Sequence, residues 1–322
     1  MRILACPDSL KGVLGQVEAA AALAEGVRRG GGEAHELPIA DGGEGTALVL
    51  HRALGGEWRT VRASDPLGRT IDAEYLVLPD GTAVVESAAA AGLGLLAVEE
   101  RDPLVASSAG LGELLAAVLA GGPSAVLVGI GGTATVDGGV GMRGVIGGWP
   151  AEVPLRIACD VQNPLLGERG AARVFGPQKG ATPEAVEELE RRLAADAGLA
   201  PFAALVGAGA GGGLGAAFAS LGGALIEGGD LVLDTLGFDA RAVEVDLVVT
   251  GEGKLDQTTL EGKAPGSVWR RCRDIGVPCV LFGGLVDLAG PEFDIRPLSG
   301  DPSQAAADLV ALGEALAAAS HR

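Results

Sequence analysis

Of the 24 basic residues only four are lysine, and each adjoins a glycine: Lys11-Gly12, Lys179-Gly180, Gly253-Lys254 and Gly262-Lys263. A chain that otherwise carries positive charge on arginine keeps lysine in loop-like contexts. There a compact ammonium suits a phosphate oxygen among backbone donors better than a planar guanidinium does. Carboxylates recur beside glycine in the same kind of place, just after short apolar runs. The segments are Pro7-Asp8-Ser9-Leu10-Lys11, Ala40-Asp41-Gly42-Gly43-Glu44, Gly131-Gly132-Thr133-Ala134-Thr135-Val136-Asp137, Cys159-Asp160 and Gly251-Glu252-Gly253-Lys254-Leu255-Asp256. Any one acid here could be a turn former or a helix cap. Five loops of one pattern point instead to a shared rim with phosphoryl-transfer chemistry. Acids would hold Mg²⁺, lysines and backbone N–H groups would neutralise phosphate, and one carboxylate would accept a hydroxyl proton.

Other chemistries lack their residues. There is no G-x-x-x-x-G-K-[ST] loop. Gly207-x-Gly209-x-x-Gly212 formally matches a dinucleotide fingerprint but follows no convincing strand, and reads as a flexible or close-packed turn before a helix at 214–221. Cys6, Cys159, Cys272 and Cys279 form no C-x-x-C pair and read as small buried hydrophobes in a reducing compartment. His35, His51 and His321 have no neighbours suggesting a triad or a metal site, and His321 is expected to fray.

These loops need elements to hold them. Short runs at 1–6, 33–38, 125–130, 246–250 and 278–282 read as strands, most of them apolar and that at 125–130 buried. They alternate with helical stretches at 17–29, 45–54, 113–119, 266–275 and 303–319. That alternation predicts a doubly wound α/β fold with a mostly parallel sheet, whose strand ends share one edge. The segments 59–62, 71–76 and 82–86, punctuated by Pro66-Leu67-Gly68 and Asp80-Gly81, instead predict antiparallel strands. Together with 156–160, a helix at 183–195 and the stretch 207–215, they suggest an inserted second α/β domain with a mixed sheet. The expected division assigns 1–58, 106–148 and 240–322 to the first domain, and 59–105 and 149–239 to the second.

Composition narrows the partners. With 322 residues, 48% hydrophobic, the chain has ample material for a core. Its net charge of −18 and ten aromatic residues argue against nucleic acid. Apolar stretches break within about a dozen residues, short of the ~20 a membrane span needs. No signal peptide is legible, so a cytoplasmic protein is expected.

The loops, in this order, resemble the bacterial type I glycerate kinases. The matching segments are 7–12, 40–46, Asp65-Pro66-Leu67-Gly68-Arg69, 129–135, Cys159-Asp160-Val161, 175–183, 250–253 and Gly262-Lys263-Ala264-Pro265. The resemblance implies a Rossmann-like domain and a second α/β domain with a cleft between them. It also implies ATP and Mg²⁺ as cofactors, and D-glycerate as substrate with 2-phosphoglycerate, less readily 3-phosphoglycerate, as product. On this basis Asp8, Lys11, Asp41 and Asp137 are the catalytic candidates, with Asp137 or Asp41 as the base. Lys11 is expected to meet the substrate carboxylate or the transferring phosphoryl group. Ser9, Glu44, Lys179 and Lys263 are candidates for substrate binding, the two lysines as phosphate clamps. Gly131, Gly132, Thr133, Gly253 and Lys254 are candidates for phosphate or nucleotide. Asp160, Glu252 and Asp256 are the Mg²⁺ candidates. The chain departs from the family pattern at Val136, at Gln162, at Gln257-Thr258-Thr259, and in a shorter stretch between Met142 and Pro154. These departures keep open a kinase of another small hydroxy acid and a non-catalytic glycerate- or nucleotide-binding relative. A monomer or homodimer is expected.

Overall fold

The computed structural model describes residues 1–260 and 262–319, so the expectation for His321 lies outside the described residues. Its strands are β1 (Arg2–Pro7), β2 (Glu33–Glu36), β3 (Glu57–Ser64), β4 (Thr70–Val77), β5 (Thr82–Glu86), β6 (Ala125–Gly129), β7 (Leu155–Ala158), β8 (Ala224–Ile226), β9 (Leu247–Leu255), β10 (Cys279–Val286) and β11 (Asp294–Pro297). They form two sheets, and the chain divides into two compact units: Met1–Asp41 with Gly228–Arg322, and Gly42–Glu227.

The first unit carries the order β11-β10-β9-β1-β2, every pairing parallel. The central strands β1 and β9 are the continuous apolar runs of the sequence, buried on both faces as a helix-covered parallel sheet requires. Ile3, Val249 and Phe282 from the sheet pack with Leu23 and Val27 of helix Gln16–Arg29 and Leu309 of helix Ala305–Ala319. Those two helices approach until their backbones touch. A Cβ at Gly26 would stand 1.9 Å from the Val310 carbonyl oxygen, and one at Gly313 2.3 Å from that of Leu23. From β1 the chain winds outward to β2 on one side, while β9, β10 and β11 lie on the other. The topological switch point is therefore at β1/β9, where open α/β sheets leave a crevice beyond the strand ends.

The second unit carries the order β3-β4-β5-β6-β7-β8. β3–β4 and β4–β5 are antiparallel, as the turn signals predicted, and the remaining pairs are parallel. At the second turn Gly81 takes φ +84° and Leu78 N–H donates to the Thr82 carbonyl at 2.9 Å. Val85, Val128 and Ile157 from neighbouring strands share a core with Leu111 and Leu114 of helix Ala109–Ala120 and with Phe218 of helix Ala210–Ser220.

The expected domain limits are corrected here. Residues 106–148, assigned from sequence to the first domain, belong to the second unit: Val128 of β6 pairs with Val85 of β5 and Ile157 of β7. Residues 42–58 move to the second unit likewise, and 228–239 to the first. A continuous apolar run announces a buried parallel strand but carries no label for the sheet it joins.

Candidate functional site

Asp8 follows β1 directly, and its backbone N–H donates to the Gly251 carbonyl of β9 at 2.9 Å, fixing it at the switch point. Ser9 N–H donates to Asp8 Oδ1 at 2.6 Å. Only 6% of Asp8 is exposed. Burial pushes its carboxyl up to about 7, with repulsion from Asp41 and Glu252 adding to the rise and Ser9 N–H and Lys11 opposing it. Glu252, inside β9, is also buried. Its carboxylate accepts from the Thr259 hydroxyl at 2.8 Å and from Lys263 Nζ at 3.0 Å and 3.3 Å. Lys254 bridges Asp256 at 3.1 Å and Asp287 at 3.0 Å. The Thr258 hydroxyl, then Lys254, hold the Asp256 carboxyl down at about 2. Lys11 is exposed and carries no ion pair among the described residues. A cavity of about 330 Å³ opens at these strand ends, with Lys11, Lys254 and Lys263 on its lining. Three of the four lysines thus meet at one hollow of an acidic molecule.

The fourth lysine belongs to the second unit. Lys179, 4% exposed, donates to Thr133 Oγ1 at 2.9 Å and to the Thr135 carbonyl at 2.8 Å, holding the loop after β6 from beneath. Burial draws its ammonium down to about 7, partly offset by Asp137. The same loop is pinned from other directions. Leu93 N–H donates to the Gly132 carbonyl at 2.7 Å, Ala134 N–H to that of Ala91 at 2.8 Å, and Gly138 N–H to that of Gly212 at 3.1 Å. Gly211, Gly212 and Gly213 take φ of +60°, +74° and +95°, and a Cβ at Gly212 would stand 1.9 Å from the Thr135 carbonyl oxygen. The glycine stretch is thus the close-packed turn the sequence suggested, and it buttresses this loop. No hydrogen bond holds the amides of Gly131 and Gly132 among the described residues.

The candidate residues therefore sort by unit. Asp8, Ser9, Lys11, Asp41, Glu252, Gly253, Lys254, Asp256 and Lys263 lie in the first; Glu44, Gly131, Gly132, Thr133, Asp137, Asp160 and Lys179 lie in the second. Two roles expected from sequence are displaced by packing. Asp137 is saturated: its carboxylate accepts from Ser108 N–H at 3.0 Å, Ser108 Oγ at 2.7 Å, Gly139 N–H at 3.0 Å and Gly141 N–H at 3.2 Å, which ties down two helix starts rather than a substrate proton. Lys179 lies under its loop instead of reaching out as a clamp. Of the three Mg²⁺ candidates, Glu252 and Asp256 lie in the first unit, held by Lys263 and Lys254, and Asp160 lies in the second. Among the described residues no three His, Cys, Asp or Glu side chains are grouped to hold a metal.

The roles of two residues escaped the sequence reading. Thr259 donates to Glu252 and accepts from Asp256 N–H at 3.1 Å, joining the two acids. Glu86, at the end of β5, accepts from Ala47 N–H at 2.8 Å and so caps helix Thr46–Leu54; burial raises its carboxyl, with Glu44 adding repulsion. An acid closing a strand-like run was the available signal for Glu86. Of the departures, Val136 is buried in the second core and Gln162 is exposed.

Comparison with known proteins agrees across the chain. A family model described as the glycerate kinase family matches residues 3–150 and 148–296. The glycerate kinase of Halalkalibacterium halodurans is 40% identical over 88% of this chain and 85% of its own length. The glycerate 2-kinase of Escherichia coli K12 is 37% identical over 90% and 87% respectively. A crystal structure from Salmonella typhimurium LT2, described as a candidate glycerate kinase 2, superposes with a TM-score of 0.87 at 34% identity, covering 100% of this chain and 98% of that one.

Proposed function

The chain belongs to the glycerate kinase family, and from that premise we propose that it transfers the γ-phosphoryl group of ATP to D-glycerate, giving 2-phosphoglycerate and ADP. The observation that carries this reading is the buried Asp8 carboxyl at the switch point, set at about 7 beside Asp41, Glu252 and Lys11. A base titrating near neutrality is matched to accepting an alcohol proton. The sequence left the base between Asp137 and Asp41; Asp137 is spent on backbone donors, whereas Asp8, whose carboxyl is raised in part by Asp41, accepts among the described residues from the adjacent Ser9 amide.

The reaction then balances simply. The 2-hydroxyl oxygen of glycerate forms a bond to the γ-phosphorus as the bond to the β–γ bridging oxygen breaks, and the hydroxyl proton passes to Asp8. Lys11, exposed and without an ion pair among the described residues, meets the glycerate carboxylate or the phosphoryl oxygens. Lys263, aimed by both oxygens of Glu252, neutralises charge on the phosphates. Because the transition state of phosphoryl transfer is loose, placement and charge count for more than the strength of the base. Mg²⁺ would enter with ATP and supply charge neutralisation on the phosphates; Glu252 and Asp256, two of the acids expected to hold it, are paired with Lys263 and Lys254. In the second unit, the amides of Gly131 and Gly132, unengaged among the described residues, and the Thr133 hydroxyl are phosphate-binding candidates on a loop held by Lys179. The name of the E. coli relative favours the 2-hydroxyl as acceptor.

The test is an incubation of purified protein with MgATP and D-glycerate, the product identified by NMR. Formation of 2-phosphoglycerate with stoichiometric ADP is the expected result. Phosphoglycerate no higher than in the Lys11→Ala variant would refute the reading, and turnover confined to another hydroxy acid would redirect it.

A further inference from the structure

Resting on the kinase reading above, the geometry points to the cavity of the first unit as the seat of the donor's nucleoside, with the adenine lying against a strip of bare backbone. The cavity, about 330 Å³, falls within the range of about 300–1,000 Å³ typical of small-molecule sites. It lies wholly within one unit, at the carboxyl ends of β1, β9 and β10.

Its lining mixes cationic, acidic and apolar side chains with glycine. Lys11, Lys254 and Lys263 line it, three of the four lysines in a chain of net charge −18. A polyphosphate approaching such a molecule is repelled except where cations are concentrated, and this is such a place. Leu10, Leu285 and Leu298 give the lining its apolar part, and Glu252, Asp301 and Asp308 reach it as well, Glu252 already holding Lys263. Leu285 is 60% exposed, an unusual state for a leucine in an inner strand of a sheet. Three glycines also line the cavity. Gly253, Gly284 and Gly300 follow one another across adjacent strand ends, so closely that a Cβ on Gly284 would be 3.0 Å from the Gly253 carbonyl oxygen and one on Gly300 3.3 Å from that of Gly284. Glycine at these positions lets the backbones approach one another closely, and it leaves peptide rather than side chain at this part of the cavity wall.

A ligand suited to this hollow has a flat, partly apolar end and a strongly anionic end. Glycerate does not: it is polar throughout and has no surface to bury against three leucines. A purine nucleoside triphosphate has both. The phosphate chain would then point toward Lys263 and Asp8, placing the γ-phosphorus where the hydroxyl proton is received.

Photolabelling of the wild-type protein with 8-azido-ATP tests this independently of turnover. The expected result is ATP-competable label on peptides carrying 10–13 or 284–305. In a companion assay, Leu285→Glu sets a carboxylate beside the base without disturbing a buried side chain. It should raise the KM for ATP about tenfold while leaving the KM for glycerate nearly unchanged. Label confined to 42–227, absence of competable label, or a Leu285→Glu enzyme with an unaltered KM for ATP would each overturn the assignment. Phosphoglycerate formation with label elsewhere sinks the cavity assignment and spares the kinase reading. Competable label here without any phosphoglycerate does the reverse.

Discussion

Two buried ionisable groups reach the same value from opposite directions: Asp8 rises to about 7 and Lys179 falls to about 7. Their consequences run in opposite senses. Folded Asp8 holds its proton more tightly than the unfolded chain does, so the stability it confers is present below about pH 4 and is lost as pH climbs to about 7. That loss is at most about 4 kcal/mol. Asp8→Asn should therefore gain melting temperature relative to wild type on going from pH 5 to pH 8, while its kcat drops about 10²-fold or more. Wild-type kcat should rise with pH through about 7, and the variant should lack that limb. For Lys179 the unfolded state binds the extra proton between about 7 and 10.5, so wild-type stability recovers as pH rises through that interval. Any stability advantage of Lys179→Met should accordingly shrink between pH 6.5 and pH 9.5; a gap independent of pH would refute the buried-lysine account. The identity of the important residues was readable from lysines and acids placed beside glycine. Burial was not, since it is set by what packs on top. That is why Asp137 reads as a base in sequence and turns out to be tied to Ser108, Gly139 and Gly141.

At the level of elements, strand ends do the positioning, and glycine decides how closely loops may stack behind them. Gly212 and Gly222 make a matched pair: both have positive φ, +74° and +85°, but Gly212 lies against the Thr135 carbonyl whereas Gly222 has nothing within 4 Å. Gly222→Ala should cost only the left-handed backbone penalty, about 1–2 kcal/mol. Gly212→Ala must also displace the Thr135 loop and should cost more, upwards of about 3 kcal/mol, with loss of activity. Chemical denaturation of both variants reads the difference directly. Strand and helix positions were legible because period and punctuation are local signals. The Asp80-Gly81 turn predicted its hairpin for the same reason. Sheet membership of β6 was not, because Val126 and Val128 would satisfy either sheet equally well until partners are chosen.

Across the molecule, the chain leaves the first unit after Asp41 and returns at Gly228, so Gly42–Glu227 is one uninterrupted stretch with its own six-stranded sheet and core. Expressed alone, 42–227 should fold and unfold cooperatively by circular dichroism; a non-cooperative melt would show that its core depends on the remainder. The first unit has no such independence, because β1 pairs with β9 across more than two hundred residues, and helix Gln16–Arg29 meets helix Ala305–Ala319 glycine to backbone. During synthesis the ribosome therefore delivers β1 and β2 long before their partners exist. The nascent amino-terminal segment must wait, sticky and unmatched, while the middle of the protein matures ahead of it. Chaperone demand should peak over that interval and end when the final helix emerges to close the gap.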